Sequence, residues 1–178
     1  IIPDGRSPAV SFFDDLELPP PHYFLEAGSG SHAVQTAKIM IEFEKVCEQT
    51  APDAVVVVGD VNSTLACSVV AKKFQIAVAH VEAGLRSFDL TMPEEINRMV
   101  TDAISDTFFV TEESGRTNLI REGKEPDRIH MVGNVMIDNL FHQRDILDRQ
   151  PEGQFETSAL KSRLNGYAFL TLHRPSNV

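Results

Sequence analysis

The sequence predicts an α/β fold, a parallel sheet with helices on both faces, and three observations carry that prediction. Short β-branched runs alternate with longer amphipathic stretches from Ser31 onward, as a chain of βαβ units requires. The run VVVV at 55–58 has no polar alternation, which fits a strand covered on both faces, as in the middle of a doubly wound sheet. The composition is that of an ordinary globular chain. Its 178 residues, 42% of them apolar, suffice for a sizeable core and argue against intrinsic disorder. At roughly 100–200 residues per domain they allow one domain with a little left over.

The elements follow in order. Residues 8–16 suit a short helix, and 22–25 a short strand after the break at Pro19, Pro20 and Pro21. A helix at 31–49 starts at Ser31, whose hydroxyl is an N-cap. A strand at 54–58, a helix at 63–74 and a strand at 76–81 come next. The helix at 93–105 opens on Pro93, suited to a first turn, and Glu94 and Glu95 meet the positive end of its dipole. After a strand at 107–111, the helix at 112–121 stops at Gly123. A strand at 129–132 and a helix at 135–148 complete the series. The stretch 149–166 is polar, holds Pro151 and Gly153, and reads as a domain boundary. Residues 1–165 then form one domain, and the strand at 168–172, within 166–178, opens a second. The chain begins on IIPDG without Met and stops at PSNV just past that strand, so both ends read as cut.

Sixteen Lys and Arg against 26 Asp and Glu give a formal charge of −10, and the isoelectric point is near 5.0. With no run of basic residues, such a surface repels nucleic acid and anionic lipid, and neither is expected as a partner. No apolar stretch approaches the ~20 residues of a membrane span and no leader pattern opens the chain, which reads as cytoplasmic. Cys47 and Cys67 are too few and too far apart for a metal site or disulfide framework, and read as small buried side chains.

In an open parallel sheet, ligands bind where the strands end, because that edge gathers the βα loops and the helix N-termini. The residues there are Gly59, Asp60, Val61, Asn62 and Ser63 after the first strand of the series, and Glu82, Ala83, Gly84, Leu85 and Arg86 after the second. Pro93, Glu94, Glu95, Asn97 and Arg98 follow, then Asn134, and His173 with Arg174 after the last strand. Asp60 and Ser63 equally suit helix caps, and Glu94 with Arg98 an i,i+4 surface pair. Glu82 fits neither reading, since a cap or turn before Ala-Gly uses Asp, Asn or Ser. His80 reads as a hydrogen-bonded core residue; His22, His130 and His142 have no notable context. His32 and His173 are retained, without the paired spacing of a metal site. The loop GSGSHA at 28–33 lacks the acidic partner of a dinucleotide fingerprint and reads as a helix start able to face a polar ligand. There is no GxxxxGK[ST] loop and no GxSxG elbow.

Read together, GSGSHAVQTAKIM, VVVVGDVNSTLA, AHVEAGLRSFD, MPEEINRMVTDAISD, FVTEESGRTNLIREG, VGNVMIDNL and TLHRPSNV resemble the UDP-N-acetylglucosamine 2-epimerase family in order and spacing, from about Phe13 to the last residue. HVEAGLR followed by PEEINR is the most specific part. The resemblance implies a glycosyltransferase-B-type architecture, two Rossmann-like domains facing across a cleft. This chain would be most of the first domain, lacking the opening strand with its GTRPE-like segment, plus the first strand of the second.

It also implies interconversion of UDP-GlcNAc and UDP-ManNAc by elimination and re-addition of UDP, supplying cell-surface polysaccharide precursors in the cytoplasm. No cofactor or metal is implied. The partner is a UDP-sugar, and the full-length form would be a homodimer. The family's catalytic carboxylates fall on Asp60, Glu82 and Glu94, and its histidine on His173. The C2 proton is not acidified by a carbonyl, so its removal accompanies departure of UDP. One carboxylate must be a base, another can stabilise charge, and a cation should face the diphosphate. Sequence leaves the base unassigned. The working assignment has Asp60 and Glu94 move protons on opposite faces of C2, Glu82 orient the sugar or stabilise C1, and His173 face the diphosphate. Arg86 either assists in substrate binding or holds Glu82. The terminal LHRPSN differs from the HRREN of many members. A hydrolysing epimerase releasing ManNAc and UDP, and a non-catalytic sugar-nucleotide-binding fragment, are the alternatives. A glycosyltransferase of this architecture would need fewer carboxylates.

Overall fold

The computed structural model describes residues 19–151, 153, 155, 157–168 and 170. The expected helix at 8–16 and most of the strand at 168–172 lie outside them, as does His173. The chain divides into two compact units, Ile1–Asn134 and Val135–Val178.

In the first unit, helix α1 (His32–Thr50) starts at Ser31, whose Oγ accepts from the Val34 N–H, as expected of an N-cap. Then follow β1 (Ala54–Val58), α2 (Asn62–Lys73), β2 (Ala77–Val81), α3 (Pro93–Ile104), β3 (Thr107–Val110), α4 (Glu113–Arg121), a 3-10 turn (Pro126–Arg128) and β4 (Ile129–Met131). Pro93 occupies the first turn of α3, and Gly123, at φ +85°, takes the left-handed conformation that closes α4. The short strand expected at 22–25 is a single bridge at Phe24. The described strands form one parallel sheet in the order β1-β2-β3-β4.

Register explains the core. Val57, His80, Phe108 and Ile129 face one another across the four strands, and all four are buried. Helices α1 to α4 cover that face. Ile39, Phe43 and Cys47 of α1 and Ala66, Cys67, Val70 and Ala71 of α2 pack with Val57 and Val78; Ala83, Val110 and Leu119 pack with Phe108 and Ile129. His80 stands between the two clusters. Both cysteines are buried as expected, and burial pushes the Cys67 thiol up to about 12. The opposite row behaves differently: Val56 and Val58 are 62% and 52% exposed. Two-sided cover for VVVV is therefore not what the described residues provide, because the described helices of this unit pack against the face that Val57 shares.

The second unit holds α5 (Val135–Asp148), at the expected bounds, and the short α6 (Ser158–Lys161).

Candidate active site

The ends of β1 and β2 and the start of α3 build the site. Beyond Val58 the chain turns at Gly59, at φ +71°, which keeps a ladder bond from its N–H to the Val81 carbonyl (3.0 Å) and delivers Asp60 at the sheet edge. Beyond Val81, Glu82 itself adopts φ +67°. A left-handed glutamate is strained, by ~1–3 kcal/mol, and such strain concentrates where a side chain must be aimed. The aim is toward the β1 turn: a Cβ added to Gly59 would lie 3.9 Å from Glu82 Oε2. Asp60 and Glu82 are thus neighbours across the β1–β2 edge.

Helix α3 closes the third side. Asn97 Nδ2 donates to the Asp60 carbonyl (2.9 Å), and the Arg98 guanidinium pairs with the Asp60 carboxylate. Glu94 precedes those two residues by three and four positions, hence on the same side of the helix. Asp60 and Glu82 therefore end neighbouring strands, and Glu94 lies in the first turn of the helix that carries the Arg98 paired with Asp60. The i,i+4 pair of Glu94 with Arg98 does not form. Arg98 instead bridges Asp60 and Glu95, whose Oε2 lies 2.7 Å from its Nη1.

Glu95 is buried, and its oxygens accept from the Ser87 and Phe88 N–H groups at 2.9 and 3.1 Å, pinning the β2–α3 loop. Burial alone would raise its pKa; the bonds from Ser87, Phe88 and Arg98 outweigh it and hold the carboxyl below its ordinary value. This clamp was invisible in the sequence, where Glu95 read as a dipole partner. The second of two glutamates after a Pro at a helix start carried the signal, but not its target.

Arg86 turns inward, its side chain 2% exposed. It reaches Asp102 at 2.7 Å and Glu122 at 2.6 Å, and makes no bond to Glu82. Burial would lower its pKa, and Glu122 and Asp102 more than reverse that, holding the guanidinium above its ordinary value. Its place is under the loop that carries Glu82. His32, at the start of α1, meets the loop after β1: Asn62 Nδ2 lies 3.2 Å from its Nδ1 and donates to Gln35 Oε1 at 2.7 Å. An open cavity of about 390 Å³ lies here, lined by His32, Met40, Asn62, Leu65, Pro93 and Asn97 among others. Among the described residues no group of three His, Cys, Asp or Glu side chains is placed to hold a metal ion.

Comparison with known proteins adds the following. The family model for UDP-N-acetylglucosamine 2-epimerase matches residues 7–178. The UDP-N-acetylglucosamine 2-epimerase of Methanocaldococcus jannaschii is 48% identical over 168 residues, which are 94% of this chain and 45% of that protein. A crystal structure of the Methanocaldococcus jannaschii UDP-GlcNAc 2-epimerase in complex with UDP-GlcNAc and UDP superposes with a TM-score of 0.76 at 51% identity, over 78% of this chain and 38% of that one. The UDP-2,3-diacetamido-2,3-dideoxy-D-glucuronate 2-epimerase of Pseudomonas aeruginosa is 41% identical over 171 residues, 94% of this chain and 46% of that protein. The chain spans less than half the length of these relatives.

Proposed function

Because this chain belongs to the UDP-N-acetylglucosamine 2-epimerase family, we propose that the whole protein interconverts UDP-GlcNAc and UDP-ManNAc. The family match over residues 7–178 carries this reading, and the placement of Asp60, Glu82 and Glu94 supports it chemically.

A carboxylate takes the C2 proton as the C1–O bond breaks and UDP leaves, giving a C1=C2 double bond. UDP then returns to C1 while a proton is delivered to the other face of C2, so atoms and charge balance over the cycle. Asp60 and Glu94 approach from different elements, which suits transfers on opposite faces. Glu82, aimed from a strained backbone, stabilises positive charge developing at C1 or orients the sugar. His173 would face the diphosphate, an anion that a chain of charge −10 can bind only through local cations. Residues 1–165 would be the first of two domains facing across a cleft, 166–178 the start of the second, and the whole protein a cytoplasmic homodimer.

The test is product analysis by proton NMR with the protein at the length of its relatives, given UDP-GlcNAc. UDP-ManNAc is the expected product. Free ManNAc with UDP would mean the hydrolysing reaction, and turnover only of the diacetamido-glucuronate nucleotide would move the substrate toward that of the Pseudomonas relative. No turnover of either nucleotide would leave a binding protein.

A further inference from the structure

His80 and Asp102 lie wholly inside the molecule, each 0% exposed. His80 Nδ1 is 2.7 Å from Asp102 Oδ1 and Nε2 is 2.8 Å from the Gly59 carbonyl oxygen. A carbonyl only accepts, so Nε2 carries a hydrogen, while Nδ1 shares one with the carboxylate. Asp102 Oδ2 in turn accepts from the Gly84 N–H at 3.0 Å and faces Arg86 Nη1 at 2.7 Å. One buried pair thus holds the peptide just ahead of Asp60 and the peptide two residues beyond Glu82. Among the described residues the same two loops are also linked by the ladder bond from Gly59 to Val81 and, by way of α3, through Arg98, which joins Asp60 to the Glu95 that holds Ser87 and Phe88.

We infer that His80, anchored by Asp102, is a positioning residue that sets the separation and aim of Asp60 and Glu82. The inference rests on the epimerase reading for its catalytic consequence, though not for its geometry. The chemistry favours this role over a purely packing one, since an apolar side chain would fill the same place between Val57 and Phe108 without burying two polar groups. Misplacing a reacting group by about 1 Å costs on the order of a hundredfold in rate.

Two variants separate the bonds, with kcat and KM measured on the protein at its relatives' length. His80→Gln can present an N–H where Nε2 stood, whereas His80→Asn can present one only where Nδ1 stood. His80→Asn should lower kcat about a hundredfold with KM nearly unchanged, and His80→Gln should stay within about tenfold of the parent. Equal loss of stability in both, with parental kcat per folded molecule, would overturn the inference. A measurement on the unaltered protein needs no variant: the buried Nε2–H should give a slowly exchanging ring-proton resonance coupled to the Gly59 carbonyl carbon. A ring without hydrogen on Nε2 overturns the inference even if His80→Asn fails to fold. If the unaltered protein shows this coupling yet turns over no UDP-sugar, the epimerase reading fails and the positioning geometry stands.

Discussion

Asp60 and Glu82 reach the same sheet edge by different devices, and the difference predicts how each should respond to change. Asp60 has a cationic neighbour in Arg98 and a carbonyl tied to Asn97. Glu82 depends on a backbone at φ +67°. Asp60→Asn and Glu82→Gln keep shape and backbone, so the first should lower turnover by about 10²–10⁴-fold, the range of a lost acid-base group, and the second by about 10²–10³-fold, the range of a lost electrostatic partner, with little change in unfolding temperature. Parental turnover in either would remove that residue from the chemistry. Glu95 differs, because its depressed pKa makes it a stability element. Its contribution is full above the ordinary value of 4.5 and is lost as pH falls through the lower folded-state value. Asp106 behaves alike: burial would raise it, and Lys72 and the Val78 N–H outweigh that and keep it below 3.8. Urea unfolding of Glu95→Gln should show a less stable protein at neutral pH and a gap that closes as pH drops below about 4.5. A gap independent of pH would contradict this role.

At the scale of elements, the β2–α3 loop owes its path to a close approach between two glycines. A Cβ on Gly84, at φ +76°, would fall on the Gly115 carbonyl, and one on Gly115 would lie 2.8 Å from the Ala83 oxygen. Gly84→Ala should destabilise by about 2–4 kcal/mol, overlap adding to the left-handed strain. Gly123→Ala, at φ +85° with nothing within 4 Å of the new atom, should cost only about 1 kcal/mol. Thermal unfolding of the pair checks this; equal losses would mean that contact with α4 does not shape the loop. The elements themselves were readable in the sequence because β-branched runs and caps are local signals. Strands β1 to β4 and helices α1 to α5 fall within a residue or so of where patterning puts them. What patterning could not see are pairings between distant positions: His80 was expected in the core, but nothing local links it to Asp102, 22 residues on. Arg86 likewise read as a ligand for Glu82 or substrate, because nothing local points to Asp102 and Glu122. Among the described residues Val56 and Val58 are left exposed, which the run VVVV could not show for a related reason. Apolar composition reports compatibility with burial, not what lies above the strand.

For the molecule as a whole, the described part holds the carboxylates proposed to move protons, while the two arginines beside them are paired. Arg86 and Arg98 are both committed to carboxylates. On the proposed function, the cations that meet the diphosphate are groups other than these two arginines. This chain alone should bind UDP more weakly than the protein at its relatives' length, by calorimetry, and should show no turnover; equal affinity would mean that the phosphate site lies within these residues. The central claim is the proposal that Asp60, after β1, and Glu94, at the start of α3, move the C2 proton on opposite faces of the sugar. Incubation of the full-length protein with UDP-GlcNAc in D2O, followed at C2 by proton NMR, tests it most directly. Deuterium should enter C2 of both epimers with the parent and fail to enter with Asp60→Asn; exchange at the parental rate in that variant, or epimerisation with the C2 hydrogen retained, would contradict the account.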